Sequence, residues 1–293
     1  MILRSFLFIP AYKLNYIEKA VNSEADAMIL DLEDSVPEQM KKSAREVICQ
    51  CSEKGMFLDK TVFVRINPVN SKDFVQDMCQ ILLPGICGIM PAKIKSAQDI
   101  VYLDQLLSFF EMKNGIDNGH FLMAPLIETA NAVIQIYAIA KASRRLAALC
   151  LGGEDYLNDL NSIYTYQETA LAVPRALLVN AARANGLLPI DTPYINISDT
   201  EGFYTSALKA YQNGFAGNLL LHPKQIAIAN KAFFPDEETT ANAQKTLQAL
   251  DGMERNIIVQ GGNLIGPPMV KKARTVIAQK DALKPCKEKE NRK

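Results

Sequence analysis

Three short runs of this 293-residue chain set carboxylates where an apolar strand pattern gives way to a loop. They are Leu30-Asp31-Leu32-Glu33-Asp34, Leu126-Ile127-Glu128-Thr129 and Gly152-Gly153-Glu154-Asp155. Carboxylates brought to one mouth repel one another unless a cation sits between them. A hard divalent ion suits such oxygens, and Mg²⁺ takes one or two carboxylates with water and substrate oxygens completing its shell. Glu128 and Asp155, ending neighbouring strands, are the expected metal ligands. Either acid alone could equally cap the helix that follows it; the pair together favours the metal. Alternation along a strand sends Asp31 and Glu33 to one side and Leu32 and Asp34 to the other.

A fourth run, Val64-Arg65-Ile66-Asn67, sets an arginine between apolar neighbours. A guanidinium inside a sheet must be paired, and its forked donors suit a substrate carboxylate or a mouth acid. Arg4, before the first strand, and Lys93, ending the fourth, are weaker candidates of the same kind. Gly153 and Glu154, beside Asp155, are assigned with Arg65 and Arg4 to substrate binding. His222 ends the eighth strand, where a lone histidine is more often structural than catalytic. His120 would lie at the other end and receives no role.

The elements that must position these residues alternate. Strand-like runs fall at 5–11, 27–34, 62–67, 88–94, 121–128, 148–155, 189–196 and 218–222, with helical spacing at about 13–24, 38–51, 72–82, 96–110, 131–142, 168–185, 200–213 and 224–231. Eight such units, with strands apolar on both faces, predict an α/β fold of the (β/α)8 barrel type. An open doubly wound sheet usually carries a glycine-rich loop after its first strand, whereas Ile9-Pro-Ala-Tyr-Lys-Leu-Asn15 has no glycine. The expected organisation is a barrel over 1–235, a short C-terminal helical extension over 236–280 with a turn over Gly261–Gly266, and a charged, frayed tail over 281–293.

Composition excludes several classes. The chain has 32 basic and 32 acidic residues, so it lacks the basic excess that phosphate neutralisation requires. No apolar run reaches the roughly 18–20 residues of a bilayer crossing, and Met1–Pro10 reads as a buried strand, not a signal peptide. Six cysteines without a C-x-x-C pair suggest free thiols in a cytoplasmic protein. There is no G-x-S-x-G elbow, Walker loop or H-E-x-x-H.

Taken in order, Arg4-Ser5 to Pro10, Ile29-Leu-Asp-Leu-Glu-Asp-Ser-Val36, Val64-Arg-Ile-Asn67, Gly152-Gly-Glu-Asp155, Ala181-Ala-Arg-Ala-Asn-Gly186, Ile190-Asp-Thr-Pro-Tyr194 and His222-Pro-Lys-Gln225 resemble the citrate lyase beta subunit family. That family, with the malyl-CoA and citramalyl-CoA lyases, lies within the HpcH/HpaI aldolase superfamily. The resemblance runs over roughly residues 3–277. It implies a trimeric barrel that binds Mg²⁺ and cleaves or forms a carbon–carbon bond in a 3-hydroxyacyl-CoA, with Glu128 and Asp155 as metal ligands and Arg65 on the oxoacid carboxylate. Lys41 and Arg45 match the basic positions of the family's D-K-x-x-A-R segment and would hold CoA phosphates, although Met40 replaces the aspartate.

The resemblance weakens at the C-terminus. Many relatives carry G-x-M-V-D-x-P, whose aspartate is thought to serve a neighbouring subunit's active site; here Gly262-Asn-Leu-Ile-Gly-Pro-Pro268 sets Gly266 at that aspartate. The expected function is therefore an Mg²⁺-dependent lyase using another base, either Glu33 or a metal-bound hydroxide. The alternatives are a member with altered or lost lyase chemistry, such as a metal- and oxoacid-binding regulatory subunit, and an aldolase on free hydroxy acids. Intact Glu128, Asp155 and Arg65 favour the enzyme. The acyl thioester would be carried on free CoA or on an acyl carrier protein.

Overall fold

A two-residue period divides each strand between two apolar layers. In β1 (Ser5–Pro10), Phe6 joins an inner cluster with Ile29, Phe63, Met90, Leu126, Cys150, Ile190 and Leu219, while Leu7 and Ile9 pack outward. Phe6 and Phe63 meet edge to face at 5.4 Å inside the ring. The computed structural model that shows this describes residues 1–163, 165, 168–249, 257–260 and 263–283.

The strands after β1 are β2 (Ala27–Asp31), β3 (Thr61–Ile66), β4 (Gly88–Pro91), β5 (Leu122–Met123), β6 (Leu126–Ile127), β7 (Ala148–Leu151), β8 (Leu188–Asp191) and β9 (Gly217–Leu220). All pair in parallel, in the order β5-β4-β3-β2-β1-β9-β8-β7-β6. The two ends of that order are halves of one stave. Pro125 lacks an N–H and interrupts it, yet Ala124 N–H donates to Ile89 O on one side and Cys150 N–H donates to Pro125 O on the other. The ring thus closes into the expected (β/α)8 barrel, with the expected fifth strand at 121–128 split into β5 and β6.

The helices of this unit are α1 (Leu14–Val21), α2 (Lys41–Glu53), α3 (Phe74–Ile81), α4 (Ala97–Lys113), α5 (Ala130–Ile134), α6 (Ile136–Ala140), α7 (Gly153–Asp159), α8 (Ala172–Ala184), α9 (Thr200–Gln212) and α10 (Ile226–Ala232). The single helix expected at 131–142 breaks into α5 and α6 at Gln135, whose ψ is 6°. The sixth strand stops at Leu151, four residues short of the expectation. Gly152 turns the chain at φ −95°, ψ 78°, so Glu154 and Asp155 stand in the first turn of α7.

A second compact unit begins at Phe234. It holds α11 (Glu237–Gln248), an antiparallel pair β10 (Ile258–Gln260) and β11 (Asn263–Ile265), and α12 (Pro267–Leu283), with Ala243, Ala273 and Val276 forming its small core. The strand pair was not foreseen: β11 occupies 263–265 of the 261–266 stretch expected to be a turn, and Gly261 and Gly262 lie outside the described residues. Of the expected tail, 281–283 continue α12 and the rest lies outside the described residues. The thiols of Cys49, Cys51, Cys79, Cys87 and Cys150 are free, and Cys286 lies outside the described residues. Among the described residues no helix is long and apolar enough to cross a membrane.

Candidate active site

Strand parity determines what reaches the C-terminal mouth. The register that turns Phe6, Ile29, Phe63, Leu126, Cys150 and Leu219 inward continues, two residues on, to Phe8, Asp31, Arg65, Glu128, Gly152 and Leu221. All six line one cavity of about 200 Å³, with Gly153, Glu154 and Asp155 beside them. Most of the acids and the arginine singled out in the sequence are therefore together.

Asp31 and Arg65 are register partners on β2 and β3. Arg65 Nε and Nη2 donate to the two carboxylate oxygens of Asp31, each at 2.6 Å, and Nη1 lies 2.9 Å from Glu33 Oε2. Phe8 covers the guanidinium face at 4.8 Å. Burial alone would raise the Asp31 pKa, but the Arg65 hydrogen bonds outweigh it and hold the carboxyl below its ordinary range. Glu33 goes the other way: burial, with Asp34 and Glu128 adding repulsion against Arg65, pushes it up to about 7. Its carboxylate stands behind Arg65, one side chain back from the cavity wall.

Glu128 is 1% exposed, and its pKa is raised by burial against the pull of Lys93. It caps no helix, since Thr129 Oγ1 accepts from Ala132 N–H at the start of α5. Instead its Oε1 accepts the backbone N–H of Lys93. Lys93 Nζ lies 2.6 Å from Asp155 Oδ1 and 4.0 Å from Glu128 Oε1, so the two carboxylates converge on one cationic point. Gly152 makes this possible, because a Cβ there would fall 2.6 Å from Glu128 Cβ. Gly153 N–H donates to Thr192 Oγ1 at 2.9 Å, and a Cβ on Gly153 would meet that same oxygen at 2.6 Å. Thr192 and Phe8 carry no charge, and sequence reading passed over both. The inward parity of their strands was the available signal.

Two hard carboxylates focused on one cation fit a magnesium ion whose other positions are filled by water and substrate. Among the described residues no group of three or more His, Cys, Asp or Glu side chains is disposed to hold a metal.

Three expected binding residues lie elsewhere. Arg4 sits at the N-terminal end of the barrel, where a residue preceding a parallel strand must lie. Its Nε and Nη2 bond to Asp26 at 2.8 Å each, which corrects its assignment to substrate. Lys41 and Arg45 occupy the inward face of α2, i and i+4 beside Ala44 and Ile48, and are 9% and 5% exposed. Lys41 Nζ donates to the carbonyls of Leu32 and Glu33 and to Asn67 Oδ1; Arg45 Nη1 is held by Asp73 and Asp77. Neither cation is turned outward to meet a CoA phosphate. Lys41 instead braces the loop that carries Glu33. His222 accepts from Lys224 N–H and caps a turn after β9, a structural task.

The family described as HpcH/HpaI aldolase/citrate lyase matches residues 4–223. The chain is 30% identical to a citrate lyase subunit beta of Leuconostoc mesenteroides subsp. cremoris, over 94% of this chain and 92% of that protein. It is also 30% identical to the L-malyl-CoA/beta-methylmalyl-CoA lyase of Rhodobacter capsulatus, over 96% of this chain and 95% of the other. Among solved structures, the protein CitE from Mycobacterium tuberculosis in complex with magnesium, acetoacetate and coenzyme A superposes with a TM-score of 0.78 at 27% identity, covering 94% of this chain and 97% of that one. With a mouth of this composition and a match over three quarters of its length, this chain belongs to the HpcH/HpaI aldolase/citrate lyase family.

Proposed function

We propose that the protein is a magnesium-dependent carbon–carbon lyase that cleaves a 3-hydroxyacyl-CoA of citryl, citramalyl or malyl type to acetyl-CoA and an α-oxoacid. The observation that carries this reading is the convergence of Glu128 and Asp155 in the same small cavity as Arg65. The relatives named for citrate lyase and malyl-CoA lyase support the thioester class.

Glu128 and Asp155 would hold the ion; when bound, magnesium supplies a Lewis acid that lowers the pKa of the substrate hydroxyl. Arg65 orients the substrate. Asp31 takes two of its five N–H donors, and those not turned to Glu33 are left for the substrate carboxylate. Phe8 on one face and Asp31 at one edge keep the fork from rotating, which is the positioning that a near-attack geometry requires. Glu33, its carboxyl pushed up to about 7 and held against Arg65 Nη1, is the base assigned to the hydroxyl proton. The bond between the hydroxyl-bearing carbon and the carbon next to the thioester then breaks, its electron pair remaining on the thioester as an enolate that is protonated to acetyl-CoA. The active form is a homotrimer, and the acyl group arrives on free CoA or on an acyl carrier protein.

The test is release of pyruvate, oxaloacetate or glyoxylate from citramalyl-, citryl- and malyl-CoA, with Mg²⁺ and with EDTA. Metal-dependent release from one thioester is expected. Release from the free hydroxy acids instead would replace the thioester reading, and silence across the panel would reject the lyase.

A further inference from the structure

Lys93 is held in the left-handed region, with φ at 55°. That conformation is unfavourable for a side chain with a Cβ and persists only where the surroundings enforce it. Here both ends of the residue are engaged. Its backbone N–H points at Glu128 Oε1, and its ammonium reaches across to Asp155 Oδ1 at 2.6 Å while staying 4.0 Å from Glu128. Asp155 is part-exposed, but Glu128 is buried, so a charge there without a counter-ion would be costly. The lysine supplies that counter-charge from within the chain.

Lys93 does not line the cavity that holds Asp31, Arg65, Glu128 and Asp155. It lines a second one of about 470 Å³, with Pro68, Asn70, Lys95, Asp99 and Thr129. The residue therefore borders open space outside the cavity of the carboxylates.

We infer that Lys93 is a positioning residue that acts as a displaceable resident cation: it holds Glu128 and Asp155 converged in the metal-free protein and yields Asp155 to the divalent ion, moving toward the second cavity. The inference rests on the reading of Glu128 and Asp155 as metal ligands. Two interactions of opposite consequence follow from it. The backbone N–H bond to Glu128 pre-orients the site and persists when metal binds, whereas the ammonium competes with the incoming ion for Asp155.

The test is direct binding of Mn²⁺, as a probe for Mg²⁺, to the full-length wild type, Lys93→Met, Lys93→Gly and Lys93→Arg by calorimetry, with the thermal midpoint of each metal-free protein. Lys93→Gly relieves the left-handed strain while removing the cation, so it remains informative if Lys93→Met folds poorly. Removing the ammonium should tighten Mn²⁺ binding about fivefold, the equivalent of one partly exposed ion pair, and should lower the metal-free midpoint. Lys93→Arg should restore wild-type values. A purely structural lysine would weaken metal binding when removed, so unchanged or weaker binding in both variants, with wild-type binding intact, would overturn the inference and leave the metal site standing. Binding seen only in the variants would support it. If neither wild type nor variants bind Mn²⁺, the metal reading itself fails and the inference falls with it.

Discussion

Asp31 and Arg65 sit opposite each other in the β2–β3 register and join through two hydrogen bonds of 2.6 Å, at the level where the barrel's apolar interior gives way to its mouth. The pair has Glu33 on its far side and Phe8 across its face. Together these contacts hold the guanidinium in one orientation at the cavity wall.

Removing Arg65 leaves Asp31 and Glu33, 1% and 5% exposed, without their cation. Arg65→Ala should cost about 3–5 kcal/mol at pH 7, the usual penalty for breaking a buried pair from one side. The loss should shrink on acidification, since protonated carboxyls need no counter-charge. Urea unfolding of wild type and variant at pH 7 and pH 5 measures both; a cost unchanged between them would mean that the acids are not the cause.

Glu33 titrates near 7, above the ordinary value of 4.5. As a base it must be ionised, so kcat/KM should fall about tenfold per pH unit below 7 and level off above it. Glu33→Gln should lower the plateau and flatten the profile. Its effect on stability has the opposite pH sense: the folded state binds the Glu33 proton more tightly than the unfolded chain, so this group makes stability decline as pH rises from about 4.5 to 7. Glu33→Gln should remove that decline, which equilibrium unfolding across the window would register. A profile identical to that of wild type would take the base role from Glu33.

Gly152→Ala would drive a methyl into Glu128, to 2.6 Å from Cβ and 2.7 Å from Oε2. Glu128 must shift from the position in which it faces Lys93 with Asp155, so Mn²⁺ affinity should drop by about tenfold for a stability loss of about 1–3 kcal/mol. Retained affinity at reduced stability would show that the carboxylate can relax without leaving the site.

At Gly266 a Cβ would meet only Ile257 Cγ1 at 3.8 Å and Pro268 Cδ at 3.9 Å, so a larger residue fits. Its carbonyl accepts from Met269 and Val270 N–H at the start of α12, the position where an aspartate is at home. Gly266→Asp should therefore raise stability by a few tenths of a kcal/mol and increase lyase turnover by restoring the acid that the family resemblance sets there. Higher stability with unchanged turnover would separate the helix cap from the chemistry.

How far the sequence could be read follows from the range of each force. Strand alternation is local, and it sets Phe6 with Phe8, Ile29 with Asp31, Phe63 with Arg65 and Leu126 with Glu128 on common faces, while closure of the ring decides that those faces are the inner ones. The stave that splits at Pro125 still reads as one strand, because a missing N–H interrupts pairing without changing parity. Local signals failed where glycines end a pattern early, as at Gly152, which puts Asp155 in a helical turn and not at a strand end.

What tertiary structure alone decided is which charge meets which. Arg4, Lys41, Arg45 and Lys93 look alike in the sequence as basic side chains offered to an anionic ligand. The folded chain sends the first to Asp26 at the far end of the barrel, the second to Asn67 and the carbonyls under Glu33, the third to Asp73 and Asp77, and the fourth to the carboxylates of the mouth. A long cationic side chain has several acceptors within reach, and only closure of the ring, which determines distances between residues far apart in sequence, selects among them.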